Sequence, residues 1–227
     1  MTYTFKQNLL PSSKYGIKAP YAMTPQYITV HNTANDASAA NEIKYMLSNN
    51  NEVSYHIAVD DKEVIQGIPF NRNAWHCGDG QGAGNRQSIG IEICYSKSGG
   101  ARYTAAEENA VQYIAQLLKR YGWGIDRVKQ HFYWSQKNCP HRIRVEGRWN
   151  SFLKRIEQAM KPTTPTQPKE EPQMTNTLTS TAKDDLKALL KTTYQKGILK
   201  VDHSDKVGSM TDGEALGYLI SVVKRTL

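Results

Sequence analysis

The side chains with the most chemistry to offer crowd into one stretch, Gln130 to Arg142, QHFYWSQKNCPHR. It holds two of the chain's six histidines and one of its three cysteines. His131 and Cys139 stand at H-x7-C spacing, and imidazole nitrogen with thiolate sulfur is a zinc donor set. A catalytic zinc takes three protein donors and keeps a fourth position open for water, so a third donor has to come from elsewhere. His31 is the candidate, because it ends the β-rich run YITVH and functional side chains concentrate where strands empty into loops. Two other readings fit the stretch taken alone: a closed structural zinc clip, and a basic aromatic patch for nucleic acid.

Two charged residues extend the first reading. Glu92 sits in SIGIEICYS, where Ile89, Ile91 and Ile93 share one face and Gly90, Glu92 and Cys94 the other. A single acid between a glycine and a cysteine suits a pocket floor, where it could move protons; the alternative is an exposed sheet face. Lys137 precedes Cys139 by two residues and would set a cation beside the metal to stabilise an oxyanion. A solvated loop lysine is its plainer reading.

Strands and helices must bring these residues together, and their patterns alternate along the first 160 residues. Residues 26–31, 53–59, 63–68 and 88–96 are short and β-rich. Helical spacing marks 36–48, a helix opened by a capping box at Thr104 and Glu107, and a third helix from Trp149 to Met160. A sheet covered by helices, α/β in class, is the expected architecture. Near the C-terminus two further helices are expected, one after Thr181 and one opened by a capping box at Thr211 and Glu214.

A chain of 227 residues, 39% hydrophobic and 22% charged, has room for one well-cored domain and a smaller appendage. KPTTPTQPKEEPQ, with four prolines, reads as an extended linker. The expected domains are therefore 1–160, a linker at 161–176 and a module at 177–227. A net charge of +8 invites an anionic partner such as nucleic acid, an acidic membrane face or a polyanionic cell wall. Most of that charge lies in residues 1–160, which disfavours a basic tail for nucleic acid. Three widely spread cysteines argue against a disulfide framework and leave the thiols as metal donors. Without an apolar run of signal-peptide or membrane-spanning length, the product is expected to accumulate in the cytoplasm without membrane insertion.

Taken together, these segments resemble the zinc-dependent N-acetylmuramoyl-L-alanine amidase family that includes the peptidoglycan recognition proteins, and are especially similar to endolysins of phages that infect Bacillus. The resemblance rests on YITVHNT (27–33), EVSYHIAVDD (52–61), NAWHCGDG (73–80), NRQSIGIEICYS (85–96) and H-x5-K-x-C-P (131–140), in family order. It implies a central mixed β-sheet flanked by helices, with a small, mainly helical C-terminal module. It implies one Zn2+ held by His31, His131 and Cys139, with Glu92 as the acid-base carboxylate and Lys137 as the cation near the substrate carbonyl. Tyr55 matches a helper position near the metal, while His76 and Asn85 match the substrate groove. His56 is expected on the opposite sheet face, Cys77 as a spectator and His141 outside the donor set. Phe132, Tyr133 and Trp134 then read as packing that fixes their loop.

The function so implied is hydrolysis of the amide between N-acetylmuramic acid and L-alanine of peptidoglycan, lysing a Gram-positive host. Peptidoglycan and wall polymers are the expected partners, with the C-terminal module as a wall anchor. The enzyme would stay in the host cytoplasm until a holin releases it to the wall. A bacterial or prophage autolysin, and a peptidoglycan-binding protein without catalysis, are the alternatives. Self-association through the C-terminal module, or with a copy started internally at Met174 after the run KEEPQ, is a further expectation.

Overall fold

The computed structural model describes residues 3–161 and 178–226. The candidate start Met174, and the expected linker apart from its first residue, lie outside them. The chain divides into two compact units, Met1–Pro162 and Thr163–Leu227.

In the first unit, β1 (Thr4–Gln7), β2 (Tyr27–Asn32), β3 (Ile57–Val59), β4 (Glu63–Gln66), β5 (Ser88–Ile93) and β6 (Val128–Gln130) form one sheet. Their order is β1-β4-β3-β5-β2-β6, parallel throughout except for the β3–β4 pair. Flanking it are α1 (Tyr15–Lys18), α2 (Ala39–Ser48), α3 (Ala83–Gln87), α4 (Gly100–Tyr121), α5 (His131–Ser135), α6 (His141–Val145) and α7 (Trp149–Met160). The adjacent strands β2 and β5 bury Ile28, Val30, Ile89, Ile91 and Ile93 completely, as strands covered on both faces do. α4 turns Ala106, Ala110, Ile114 and Leu118 inward, and α7 adds Phe152 and Ile156, giving one continuous core. Among the described residues no helix is long and apolar enough to cross a membrane.

Several expected boundaries move, each for a local reason. The strand expected over 53–59 pairs only from Ile57. Lys18 is fully buried, and its ammonium donates to the carbonyls of Asn51 (2.5 Å) and Val53 (3.2 Å). Ser54 Oγ donates to the Lys18 carbonyl. Side chains thus satisfy a backbone that a ladder would otherwise have to pair. The capping box at Thr104 does not form. Gly99 and Gly100, at φ 73° and 69°, turn the chain into a helix that already begins at Gly100. Glu107 instead takes Arg148 and Arg155, both at 2.6 Å. α2 starts at Ala39, with Ser38 Oγ accepting from the Asn41 amide, while Asp36 accepts from Ser98. β1 and β6 lie in segments where no strand is expected, and both border the sheet.

The second unit pairs α8 (Ser180–Gln195) with α9 (Asp212–Thr226) around Leu186, Leu190, Leu199, Val207, Met210, Ala215 and Val222. α8 begins at Ser180, one residue before Thr181, and is capped by Thr179. The box before α9 forms: Glu214 Oε2 accepts from the Thr211 amide at 2.8 Å, and Thr211 Oγ1 accepts from the Glu214 amide at 3.2 Å.

Candidate metal centre

Strand register builds the site. β2 runs parallel to β5 with His31 opposite Glu92, so both side chains leave the same sheet face. On the other side β6 pairs with β2, Val30 against Gln130, and the next residue along each chain brings His131 level with His31. His131 opens α5, and the loop behind it closes where the Phe132 amide donates to the Cys139 carbonyl at 3.0 Å. A left-handed Gln136, φ 61°, makes that return possible. Trp134 Nε1 donates to Thr29 Oγ1 at 2.8 Å, and the Arg144 guanidinium lies 3.7 Å from the Phe132 ring centre. Those two aromatics pack the loop. Tyr133 is 59% exposed, with its ring edge-on to Trp134 at 4.8 Å.

His31 Nδ1 lies 3.0 Å from His131 Nδ1 and 3.7 Å from Cys139 Sγ, and all three residues are buried. A tetrahedral zinc with bonds of about 2.0 Å to nitrogen and 2.3 Å to sulfur separates its donors by roughly 3.3–3.6 Å. Two imidazole nitrogens at 3.0 Å need a proton or a cation between them, and this donor set fits zinc. Burial, with the Lys137 charge next, holds His131 down at about 4, and burial keeps His31 well below the ordinary imidazole range. Both rings therefore stay neutral, the form that binds metal. Burial pushes the Cys139 thiol up to about 12, so a metal must displace its proton. His31, His76 and Cys77 form a second close trio. There, however, His31 Nε2 and His76 Nδ1 already share a hydrogen bond at 2.9 Å.

Glu92 is only partly covered as a residue, yet its Oε2 is sealed and lacks a hydrogen-bond partner among the described residues. Burial first, and the neighbouring Glu42 carboxylate second, raise its carboxyl to about 8, against the pull of Lys137. Lys137 lies with His131, Ser135, His76 and Asn85 along a cleft of about 750 Å³, walled opposite by Ile17, Tyr21, Val53 and Trp75.

The remaining expected residues are placed as follows. Tyr55 is buried and its hydroxyl donates to the Glu42 carbonyl at 2.9 Å, turned onto α2; burial and the Glu42 and Glu92 charges keep the phenol protonated. Asn85 Oδ1 accepts from the amides of His76 and Cys77, both at 2.8 Å, so its side chain clamps the cleft loop. His56 is not on the opposite face. Its ring lies 5.8 Å from that of His76, and its Nδ1 accepts from the Gly90 amide, because Ala58 pairs with Glu92 and His56, two residues earlier, shares that sheet face. Cys77 lies 3.1 Å from His76 Nδ1, closer to the site than a spectator. His141 starts α6 outside both trios. Sequence reasoning overlooked Glu42, whose first-turn place in an amphipathic helix reads as solvent-facing, and Ser135, whose hydroxyl lies 3.1 Å from His131 Nε2. The i, i+4 spacing of His131 and Ser135 was the available signal for the latter.

The family described as N-acetylmuramoyl-L-alanine amidase matches residues 21–142. The N-acetylmuramoyl-L-alanine amidase XlyB of Bacillus subtilis (strain 168) is 61% identical over 161 residues, 70% of this chain and 51% of XlyB. The chain thus spans about half the length of such curated relatives. Among solved structures, the PlyG catalytic domain is 59% identical with a TM-score of 0.67, covering 71% of this chain and 98% of that one. A mutant endolysin from Bacillus subtilis is 41% identical with a TM-score of 0.62, covering 68% and 99%. With more than half its length matched and its sheet superposable on those structures, the chain belongs to the N-acetylmuramoyl-L-alanine amidase family.

Proposed function

We propose that the protein is a zinc-dependent endolysin that hydrolyses the amide between the lactyl group of N-acetylmuramic acid and the L-alanine of the peptidoglycan stem. The observation that carries this reading is the convergence of His31, His131 and Cys139 beside Glu92, with His131 also lining the cleft. Zinc held by those donors would supply Lewis acidity, polarising a carbonyl and lowering the pKa of water.

The chain's own groups then divide the remaining work. Glu92, level with His31, takes a proton from the attacking water and returns it to the departing amine. An unpartnered buried oxygen with a raised carboxyl suits that role, since its proton affinity lies near working pH. Lys137 offers an ammonium to the carbonyl oxygen as negative charge builds there. The His76 to Asn85 wall holds the cleft open for the stem, while Tyr55 keeps the Glu42 side of the pocket rigid. Similarity to an endolysin from Bacillus subtilis supports action on a Gram-positive wall; the route to it would be from the host cytoplasm through a holin. The second unit would serve as wall anchor, and its small core makes self-association through it reasonable.

Mass spectrometry of material released from purified Bacillus walls tests the reading. The expected products carry a free L-alanine amine and an unsubstituted lactyl carboxylate. Cleavage of glycan or of bonds within the stem would overturn it.

A further inference from the structure

The hydrogen bond between His31 and His76 is not explained by a groove role for His76. His31 Nε2 stands 2.9 Å from His76 Nδ1, with the rings edge to face at 82°. The opposite nitrogen of His76, Nε2, lies 3.3 Å from the Ser88 carbonyl, which can only accept. In a neutral His76 the proton is therefore on Nε2, and Nδ1 holds a bare lone pair. His31 Nε2 must then donate. That leaves His31 Nδ1 bare, and Nδ1 is the atom facing His131 Nδ1 and Cys139 Sγ.

The surroundings of His76 hold it in this one orientation. The Asn85 side chain accepts from its amide at 2.8 Å. Gly90 gives its ring a floor, since a Cβ there would stand 2.8 Å from the imidazole. Ser88 is fixed in turn: its hydroxyl donates to the Gly84 carbonyl at 2.6 Å and lies 2.7 Å from Thr29 Oγ1. Cys77 Sγ is also near His76 Nδ1, at 3.1 Å, but its thiol can donate to Thr29 Oγ1 at 3.8 Å instead.

We propose that His76 is a positioning residue for the metal centre: by accepting the His31 Nε2 proton, it locks His31 in the tautomer and ring orientation that leave Nδ1 free for zinc. This inference rests on the zinc reading of His31, His131 and Cys139. Partners behind a metal-bound histidine fix its tautomer, and losing one costs roughly 10–100-fold in metal affinity.

The test uses the full chain and two variants. His76→Phe keeps a ring without an acceptor, and His76→Asn keeps an amide oxygen near the Nδ1 position. Zinc affinity, read by competition with a chromophoric chelator, should fall roughly 10–100-fold for His76→Phe and recover most of that loss for His76→Asn. Equal affinity in His76→Phe and the native chain would overturn the proposal, and so would equal losses in the two variants, which would mark a merely structural role. Long-range proton–nitrogen NMR of the metal-free native chain gives a readout that needs no variant to fold. It should show the His31 proton on Nε2; a proton on Nδ1 refutes the assignment. Failure of the native chain to take up one zinc would instead sink the metal reading, whatever the NMR shows.

Discussion

Glu92 combines three properties at one position: a register partner in His31, an unpartnered buried oxygen, and a carboxyl raised to about 8. The substitution Glu92→Gln keeps the shape and removes the proton acceptor. It should leave zinc content unchanged while turnover falls about 10²–10⁴-fold, measured as released muropeptide per bound zinc; full lysis by this variant would remove Glu92 from the mechanism. The same carboxyl makes a prediction for stability. Its folded value of about 8 exceeds the ordinary 4.5, so the fold retains a proton that the unfolded chain has released. Stability of the metal-free protein should therefore fall as pH rises between those values. Buried His31, His56, His76 and His131, all held below 6.5, act in the opposite sense, as neutral rings that resist charging below that value. Thermal melts from about pH 7 to pH 8 isolate the carboxyl, and Glu92→Gln should flatten the decline there. A slope identical in both proteins would exclude Glu92 as its source.

Between residues and fold stand the strand and loop devices that hold the site. Gly90 lies in the middle of β5, where a larger residue would extend the buried apolar run; its lack of a side chain is what admits the His76 ring. Gly90→Ala should overpack that contact, costing about 1–3 kcal/mol in denaturant unfolding, and should weaken zinc binding by displacing His76. Lys18 does similar work from a buried position beside Ile17, a residue of the cleft. Its ammonium also reaches Asn49 Oδ1 at 3.0 Å, tying α1 to the segment that carries Val53, a residue of the cleft. Lys18→Ala strips several carbonyls of their partner at once and should cost about 2–4 kcal/mol, with a poorer KM for wall fragments. An unchanged melting curve would show that the segment holds itself.

At the scale of the whole molecule, two compact units suggest divided labour. Fused to a fluorescent protein, residues 177–227 should decorate the walls of a narrow group of Bacillus relatives. Uniform failure on Gram-positive walls would reassign the second unit. The proposed zinc donors come from β2, α5 and the loop beyond it, so chelation should lower the melting temperature of the first unit as well as its activity. Calorimetry before and after zinc is restored checks this.

Sequence alone determined a good deal. Repeated Ile and Val in β2 and β5, the spacing of α7 and the Thr211–Glu214 box are local patterns, and local patterns are what propensity and capping encode. His131 and Cys139 stand out by donor chemistry, and Lys137 by its charge, within a single short stretch. Tertiary structure decided what depends on distant partners. Residues 53–55 stay outside the ladder, with Lys18 bonded to Val53 and Ser54, and α4 starts early because two glycines turn the chain into it. Glu107 is drawn away from capping by two arginines on another element. His76, read from sequence as a groove residue, is placed behind His31 by Ser88, Asn85 and Gly90 acting together. Donor identity is written residue by residue, whereas the orientation of a donor depends on hydrogen bonds between strands far apart in the chain.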